Sequence, residues 1–303
     1  MTFTLTVLGS SSALPTSERF TSAHVLNVHE HLFLIDCGEG TQIQLRKYKI
    51  KFSKIDNIFI SHTHGDHILG LIGLISSFDL LGRKHPLNIY SPGKLDSIIN
   101  SQLVFFDDHL NFEIIFHKVD HLVPNLIFEN KQVEIYSVPL KHRIPTTGYV
   151  FKEKPALPNI KKDKIEKYNI PLKRIFPIKC GEDFTTEKGE VIPNDELVTH
   201  SSRPRSYAYC SDTMYSEDIV PQITGVSLLY HEATFMNELS ERAKETFHSS
   251  TYDAANIAKI ACAEKLLIGH FSVRYKDITP MLDEAKSIFE NTIAAEDGMI
   301  IDI

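Results

Sequence analysis

Apolar and polar residues alternate at the start of the chain, where threonines separate Phe3, Leu5 and Val7. A period of two predicts a strand, and the polar run at 9–12 predicts the turn that ends it. Further apolar segments predict strands at 23–28, 31–35, 57–60, 87–90, 112–116, 133–138, 206–210, 226–230, 265–268 and 299–303, and helices at 41–48, 68–80, 94–104, 251–262 and 277–291. Strands that alternate with helices favour a layered α/β domain.

One stretch, 152–200, lacks sustained periodicity and is rich in proline and lysine. We interpret it as an arm inserted into a single domain of residues 1–303, with one short helix near 163–168. Residues 141–179 contain eleven Lys/Arg and three Asp/Glu, a local excess of +8 in a chain whose net charge is −7. Such asymmetry indicates a polyanionic partner that binds at one place, or else a solvated lysine-rich loop.

Composition narrows the class of protein. The 303 residues are 42% hydrophobic and 23% charged, as in ordinary globular domains. The four cysteines form no C-x-x-C pair, which argues against a thiolate zinc ribbon or a redox motif. Neither a signal-like N-terminus nor an 18-residue apolar run is present, so we expect a cytoplasmic protein with no membrane partner.

The richest chemistry lies in the run Ser61-His62-Thr63-His64-Gly65-Asp66-His67, between a predicted strand and a predicted helix. Imidazole and carboxylate are the nitrogen and oxygen ligands of zinc. A strand-to-helix turn lets several of these side chains converge on one point. The alternative, a histidine-rich surface loop, leaves the carboxylate within the same tight turn unexplained.

Three more strand ends supply the ligands that a pair of metal ions requires. They carry His142 after Pro139-Leu140-Lys141, Asp212 in Ser211-Asp212-Thr213 and His270 in Gly269-His270-Phe271. If Asp212 bridges, its two oxygens serve one ion each, and each ion has three or four protein ligands. Such open coordination is typical of catalytic zinc rather than structural zinc.

Seven segments together resemble the ribonuclease Z family, tRNA 3′-processing endonucleases of the metallo-β-lactamase fold. The histidine run alone indicates only the wider superfamily, whereas the combination is specific to this family. The matching segments are Leu34-Ile35-Asp36-Cys37-Gly38-Glu39-Gly40-Thr41-Gln42, His62-x-His64-x-Asp66-His67, Pro139-x-Lys141-His142, Ser211-Asp212-Thr213, His231-Glu232-Ala233-Thr234-Phe235, His248-Ser249-Ser250-Thr251 and Gly269-His270-Phe271-Ser272-x-Arg274-Tyr275.

The resemblance implies an αββα sandwich of two mixed sheets flanked by helices, with a protruding basic arm. It also implies two zinc ions per subunit, although histidine and aspartate suit manganese or iron as well. One ion would be bound by His62, His64, His142 and Asp212, and the other by Asp66, His67, Asp212 and His270.

Catalytic roles follow from the same resemblance. A metal-bound water, whose pKa falls to about 7, would attack the phosphodiester. Asp66 would orient that water or accept its proton, His248 would protonate the leaving ribose oxygen, and Glu232 would hold His248. Arg274 would bind a phosphate oxygen, and Asp36 and Glu39 would support the ligating histidines.

The expected partner is precursor tRNA, and family members are typically homodimers. Four lysines of the arm, Lys161, Lys162, Lys164 and Lys167, would contact the tRNA backbone. The arm lacks the Gly-Pro motif that many members carry, so its geometry does not follow from the family. The alternatives are a related phosphodiesterase or exoribonuclease acting on other RNAs or small diesters, and a metal-containing RNA-binding protein without turnover.

Overall fold

The computed structural model describes residues 2–104, 110–199 and 203–303. The chain forms two compact units: a core unit of residues 1–152 and 205–303, and an arm unit of residues 153–204. Among the described residues, none of the helices has the length and apolar composition needed to span a bilayer.

The strands of the core unit are β1 (Phe3–Gly9), β2 (Ala23–Val28), β3 (His31–Ile35), β4 (Ile55–Phe59), β5 (Leu87–Ser91), β6 (Ile114–Lys118), β7 (Leu126–Glu129), β8 (Val133–Pro139), β9 (Thr147–Glu153), β14 (Ser206–Cys210), β15 (Leu228–Glu232), β16 (Leu266–Gly269), β17 (Thr292–Ala294) and β18 (Ile300–Asp302). Its helices are α1 (Thr41–Lys47), α2 (Gly65–Ile68), α3 (Leu71–Leu80), α4 (Leu95–Leu103), α8 (Val220–Ile223), α9 (Ser240–Thr246), α10 (Thr251–Ile260) and α11 (Thr279–Lys286).

Two mixed sheets form the centre of the core unit. The first has the strand order β18-β1-β2-β3-β4-β5-β6, and the second has the order β17-β16-β15-β14-β9-β8-β7. The strands β3 to β6 run parallel, as do β14 to β17, so their carboxyl ends lie at one edge of each sheet. Parallel strands of this kind usually carry functional residues at those ends.

Aromatic residues fill the space between the two sheets. Phe59 of the first sheet has its ring centroid 5.3 Å from that of Tyr149 and 5.5 Å from that of Phe151, both in the second sheet. A separate apolar cluster joins the outer face of the first sheet to α1, α3 and α4, while α10 and α11 cover the second sheet. The resulting helix–sheet–sheet–helix layering confirms the predicted αββα sandwich.

The arm unit contains the strands β10 (Asn159–Ile160), β11 (Phe184–Thr185), β12 (Val191–Ile192) and β13 (Val198–Thr199) and the helices α5 (Lys162–Lys167), α6 (Leu172–Lys179) and α7 (Asn194–Leu197). Its own apolar cluster includes Ile170, Ile178 and Phe184. The short helix predicted near 163–168 is confirmed as α5, but the expectation that it would be the only helix of this stretch was wrong, because α6 and α7 follow it. Pro177 lies inside α6, where a proline ordinarily ends a helix, so the periodicity there was hidden.

Candidate metal centre

All seven predicted ligands lie after strands of the core unit, at the carboxyl ends of β4, β8, β14 and β16. They form two groups in which the potential ligand atoms lie within 4.8 Å of one another. The first group is His62, His64, His142 and Asp212, and the second is Asp66, His67, Asp212 and His270.

In the first group, three imidazole nitrogens converge. His64 Nδ1 lies 2.9 Å from His62 Nε2 and 3.2 Å from His142 Nε2. Asp212 Oδ2 lies 3.6 Å from His62 Nε2 and 3.9 Å from His142 Nε2. Three nitrogens and one oxygen therefore face a common point.

The second group has two carboxylates and two imidazoles. Asp66 Oδ2 lies 3.3 Å from both His67 Nε2 and His270 Nε2. Asp212 Oδ1 lies 3.5 Å from His67 Nε2 and 3.2 Å from His270 Nε2. The two oxygens of Asp212 thus face different groups, which is the arrangement that a bridging carboxylate requires.

Hydrogen bonds fix the orientations of four of the five rings through their other nitrogen. His62 Nδ1 lies 3.0 Å from Ser61 Oγ, and His142 Nδ1 lies 2.8 Å from the carbonyl oxygen of Phe247. Two more such contacts join His67 Nδ1 to Asp36 Oδ2 (2.7 Å) and His270 Nδ1 to Thr234 Oγ1 (3.0 Å). Outer partners of this kind set the tautomer and orientation of metal-binding histidines.

Asp36 is buried behind the second group, on the loop that follows β3. Its carboxylate also accepts hydrogen bonds from the backbone and hydroxyl of Ser61 and from the hydroxyl of Tyr209. The Cys37 N–H donates to the His67 carbonyl at 2.8 Å, and a Cβ on Gly38 would lie 2.4 Å from the Asp66 carbonyl oxygen. Only glycine allows this loop to pack so closely under the turn that carries Asp66 and His67.

The centre fits a divalent metal ion. His67 Nε2 is fully buried and has no hydrogen-bond partner among the described residues, as expected for an atom meant to bind a metal. Burial and the charge of His67 hold the pKa of His62 well below its usual value, which leaves a neutral ring with a free lone pair. Burial lowers the pKa of His67, but the charges of Asp66 and Asp212 outweigh burial and raise it well above its usual value. These carboxylates therefore favour a positive charge at this ring, which a metal ion would supply in place of the proton.

A histidine–carboxylate pair adjoins the centre. His248 Nδ1 lies 2.8 Å from Glu232 Oε1 and 3.9 Å from Asp212 Oδ2. Glu232 is fully buried, and its Oε1 also accepts the backbone N–H of Thr213 at 2.8 Å. Burial lowers the pKa of His248, but the charge and hydrogen bond of Glu232 outweigh burial and raise it to about 9.

Arg274 lies exposed on the loop after β16. Its Nε donates to Ser272 Oγ at 3.2 Å, and its guanidinium carbon lies 5.1 Å from the centre of the Phe235 ring. These contacts orient the side chain, and within the described part of the chain the other guanidinium N–H groups remain available to an anion. Glu39, by contrast, is exposed and contacts none of the ligating histidines in the described part of the chain, so the supporting role expected for it was wrong.

Several contacts at the centre were not predicted. The backbone N–H of Ala13 donates to Asp66 Oδ2 at 2.9 Å, and Ala13 has a positive φ of 41°. The carbonyl of Phe247 and the hydroxyl of Thr234 also hold ligand rings. Backbone groups leave no signal in the residue pattern, although Thr234 lies in one of the segments that match the family.

Within the arm unit, the four predicted lysines lie on or next to α5. Lys161 Nζ donates to the carbonyl oxygen of Glu196 at 3.1 Å. The ammonium groups of Lys164 and Lys167 lie 6.0 and 4.7 Å from the ring centre of Tyr168. Lys162 is exposed at the first turn of the helix.

Two mixed sheets between helices, with a histidine–aspartate centre at the ends of their strands, define a protein of the metallo-β-lactamase fold. A metallo-β-lactamase fold protein, YhfI from Bacillus subtilis, superposes with a TM-score of 0.69, 20% identity and full coverage of both chains. The short form of human tRNase Z superposes with a TM-score of 0.71 and 27% identity, over 99% of both chains.

Relatives in sequence identify the family, within this fold, to which the chain belongs. The chain is 47% identical to the ribonuclease Z of Bacteroides thetaiotaomicron, over 99% of this chain and 95% of that protein. It is 46% identical to the ribonuclease Z of Phocaeicola vulgatus, over 99% and 97%. Residues 3–154 also match the family model described as Anti-Pycsar protein Apyc1, a match that covers the strands from β1 to β9. The chain belongs to the ribonuclease Z family.

Proposed function

We propose that this protein is an endoribonuclease that removes the 3′ trailer of precursor tRNA. One observation carries the proposal. Two groups of ligand atoms share Asp212, and the His248–Glu232 pair lies beside them, so a nucleophile and a proton donor would act on the same phosphate. The names of the full-length relatives, and of the human tRNase Z that superposes on the chain, support the choice of substrate.

The residues suited to hold two divalent ions are the two groups of the centre, with Asp212 common to both. Zinc fits this nitrogen and oxygen set, and manganese and iron are the alternatives to test. When bound, a pair of such ions lowers the pKa of water and neutralises charge on a phosphate.

Hydrolysis joins a water oxygen to phosphorus and breaks the bond from phosphorus to the ribose 3′ oxygen. Asp66, held by the Ala13 N–H, is placed to orient the water or accept its proton. His248, which Glu232 keeps protonated at neutral pH, would give its proton to the leaving 3′ oxygen. The products would be a tRNA with a 3′-hydroxyl and a trailer with a 5′-phosphate.

Substrate binding would be divided between the two units. In the core unit, the terminal guanidinium N–H groups of Arg274, which no described residue accepts, would hold a non-bridging phosphate oxygen. In the arm unit, Lys161, Lys162, Lys164 and Lys167 would contact backbone phosphates of the tRNA, which would position it without reading its sequence. We also propose a homodimer, as the family resemblance implies.

The test is to incubate the purified protein with a precursor tRNA, map both product ends and measure metal content by elemental analysis. We expect a single cut that leaves a 3′-hydroxyl on the tRNA, and two metal ions per chain. Trimming from the 3′ end in single steps, or hydrolysis of small diesters without cleavage of precursor tRNA, would instead support the exoribonuclease or phosphodiesterase alternative.

A further inference from the structure

Thr234 contacts both parts of the proposed catalytic machinery. It is the second residue after β15, and it is almost fully buried, with 4% of the residue exposed. Its Oγ1 lies 2.6 Å from Glu232 Oε2 and 3.0 Å from His270 Nδ1. A single hydroxyl therefore touches the partner of the proposed acid and a ligand of the second metal group.

The donors and acceptors around Thr234 Oγ1 determine which atom carries the proton in each of its two hydrogen bonds. Glu232 Oε1 accepts the Thr213 N–H and faces His248 Nδ1, so the carboxylate acts as an acceptor. The one proton of the Thr234 hydroxyl then goes to Glu232 Oε2, and its oxygen remains as an acceptor. His270 Nδ1 must therefore be the nitrogen that carries the ring proton.

This assignment determines which His270 nitrogen can bind a metal. With Nδ1 protonated, the lone pair lies on Nε2, the atom 3.2 Å from Asp212 Oδ1 and 3.3 Å from Asp66 Oδ2. Ser61, Asp36 and the Phe247 carbonyl hold other ligand rings. Among the described residues, none of these three groups also contacts Glu232, so they differ from Thr234, which contacts both a ligand ring and Glu232.

We propose that Thr234 is a positioning residue that couples metal binding to proton donation. Its hydroxyl holds His270 in the tautomer that the second metal group requires, and it holds Glu232 against His248. This inference rests on the proposed function for the acid role of His248. Its effect on metal binding is independent of the substrate.

The experiment compares Thr234→Val, which keeps the shape and removes the hydroxyl, with Thr234→Ser, which keeps the hydroxyl. Thr292→Val is the matched control, because Thr292 is also buried and its hydroxyl also donates, to the Phe289 carbonyl. Zinc affinity is measured on each zinc-loaded protein by competition with a chelator, and kcat and KM are measured on precursor tRNA at saturating zinc.

For Thr234→Val we expect one of the two zinc ions to bind about 10–100-fold more weakly, as for other outer-shell substitutions. We also expect kcat to fall with little change in KM. Thr292→Val should behave like the wild type. Thr234→Ser, which keeps the hydroxyl, should recover most of the zinc affinity and kcat that Thr234→Val loses. At saturating zinc, Thr234→Val should lose more activity on precursor tRNA than on a nitrophenyl diester, whose leaving group needs no proton.

Wild-type zinc affinity and kcat in Thr234→Val would overturn the inference, as would equal losses in the Val and Ser variants. If the wild type does not cut precursor tRNA at all, the proposed function fails. The zinc competition would still test the role of Thr234 in setting the His270 tautomer.

Discussion

The candidate metal centre of the core unit and the four lysines on or next to α5 of the arm unit differ in how far their charged groups are buried. At the centre, Asp212, His67 and His270 are almost fully buried, and their side chains belong to the groups of converging ligand atoms. On the arm, Lys162 and Lys167 are exposed, and the apolar cluster beneath them is small.

This difference in burial determines how much activity a substitution in each region should remove. Removing one member of a buried polar network leaves its partners unsatisfied in a medium of low dielectric constant, so losses at the centre should be large. Exposed cations act together and are screened by salt, so losses on the arm should be gradual.

Asp212→Ala should have the largest effect, because it removes one oxygen from each metal group. We expect kcat/KM on both precursor tRNA and a small diester to fall at least about a thousandfold. Zinc content, measured by elemental analysis after desalting, should fall in parallel. The control is Asp218→Ala, at an exposed aspartate that pairs with Lys141 at 2.6 Å. Full zinc content with normal activity in Asp212→Ala would contradict the shared ligand.

His248→Ala should remove the proposed acid and leave the ligands in place. We expect cleavage of precursor tRNA to slow by about 10²–10⁴-fold, the usual contribution of a positioned proton donor. A nitrophenyl diester, which needs no proton on its leaving group, should be hydrolysed almost normally. Equal losses on both substrates would show that His248 does not act as the acid.

Removal of the arm unit should weaken the binding of precursor tRNA and leave the hydrolysis of a small diester unchanged. Lys152 and Ser206 are paired across antiparallel β9 and β14, so a short linker can replace 153–204 without displacing the strands. We expect KM for precursor tRNA to rise by at least about tenfold, because phosphate contacts are lost. Turnover of a small diester should be unchanged, and an equal loss on both substrates would count against the exosite.

A smaller change to the arm tests its electrostatics alone. Replacing its four lysines with glutamine should reduce the slope of log KM against log salt by up to about 3. The same number of Lys→Gln changes in the core unit should leave that slope unchanged. The arm variant carries changes at Lys161, Lys162, Lys164 and Lys167, and the control carries them at Lys47, Lys51, Lys94 and Lys131.

The last prediction concerns the stability of the core unit rather than its activity. Burial lowers the pKa of His24 to about 3, and its Nδ1 lies 2.7 Å from the hydroxyl of Tyr207. Unfolded histidine titrates near 6.5, so between pH 6.5 and pH 3 the unfolded state binds the extra proton, and the free energy of unfolding rises with pH.

From pH 7 to pH 4, this residue should lower the free energy of unfolding by about 3 kcal/mol. The measurement is urea unfolding at both pH values for the wild type, His24→Gln and the exposed control His31→Gln. His24→Gln should lose that part of the pH dependence, and an unchanged dependence would refute the assignment.

The residue pattern predicted the strands that carry the centre with small shifts in their bounds. Apolar runs at 57–60 and 265–268 correspond to β4 and β16. The strand predicted at 226–230 corresponds to β15, which begins and ends two residues later. Parallel strands end at the same edge of a sheet, so histidine and aspartate near strand ends predicted the candidate ligands, and the family resemblance assigned them to the two groups.

Other elements could not be predicted, for identifiable reasons. β9 begins Thr147-Gly148, which is a turn signal, yet its first five residues are buried between neighbouring strands. α9 buries only Ala243, so it has no apolar period, yet Phe247 at its end supplies the carbonyl that holds His142. Both elements depend on tertiary packing rather than on local preference.

The sequence by itself therefore determined the layered architecture, because local periodicity predicts the strands and helices. It also determined the candidate ligands, because histidine and aspartate lie near predicted strand ends. The acid–base pair came only from the family resemblance, since the spacing of Glu232 and His248 does not join them. The tertiary structure alone decided which oxygen of Asp212 faces which group and which ring nitrogen of each histidine points inward. It also decided that Thr234 joins His270 to Glu232. These are relations between atoms far apart in the chain, and only folding brings them within hydrogen-bond distance.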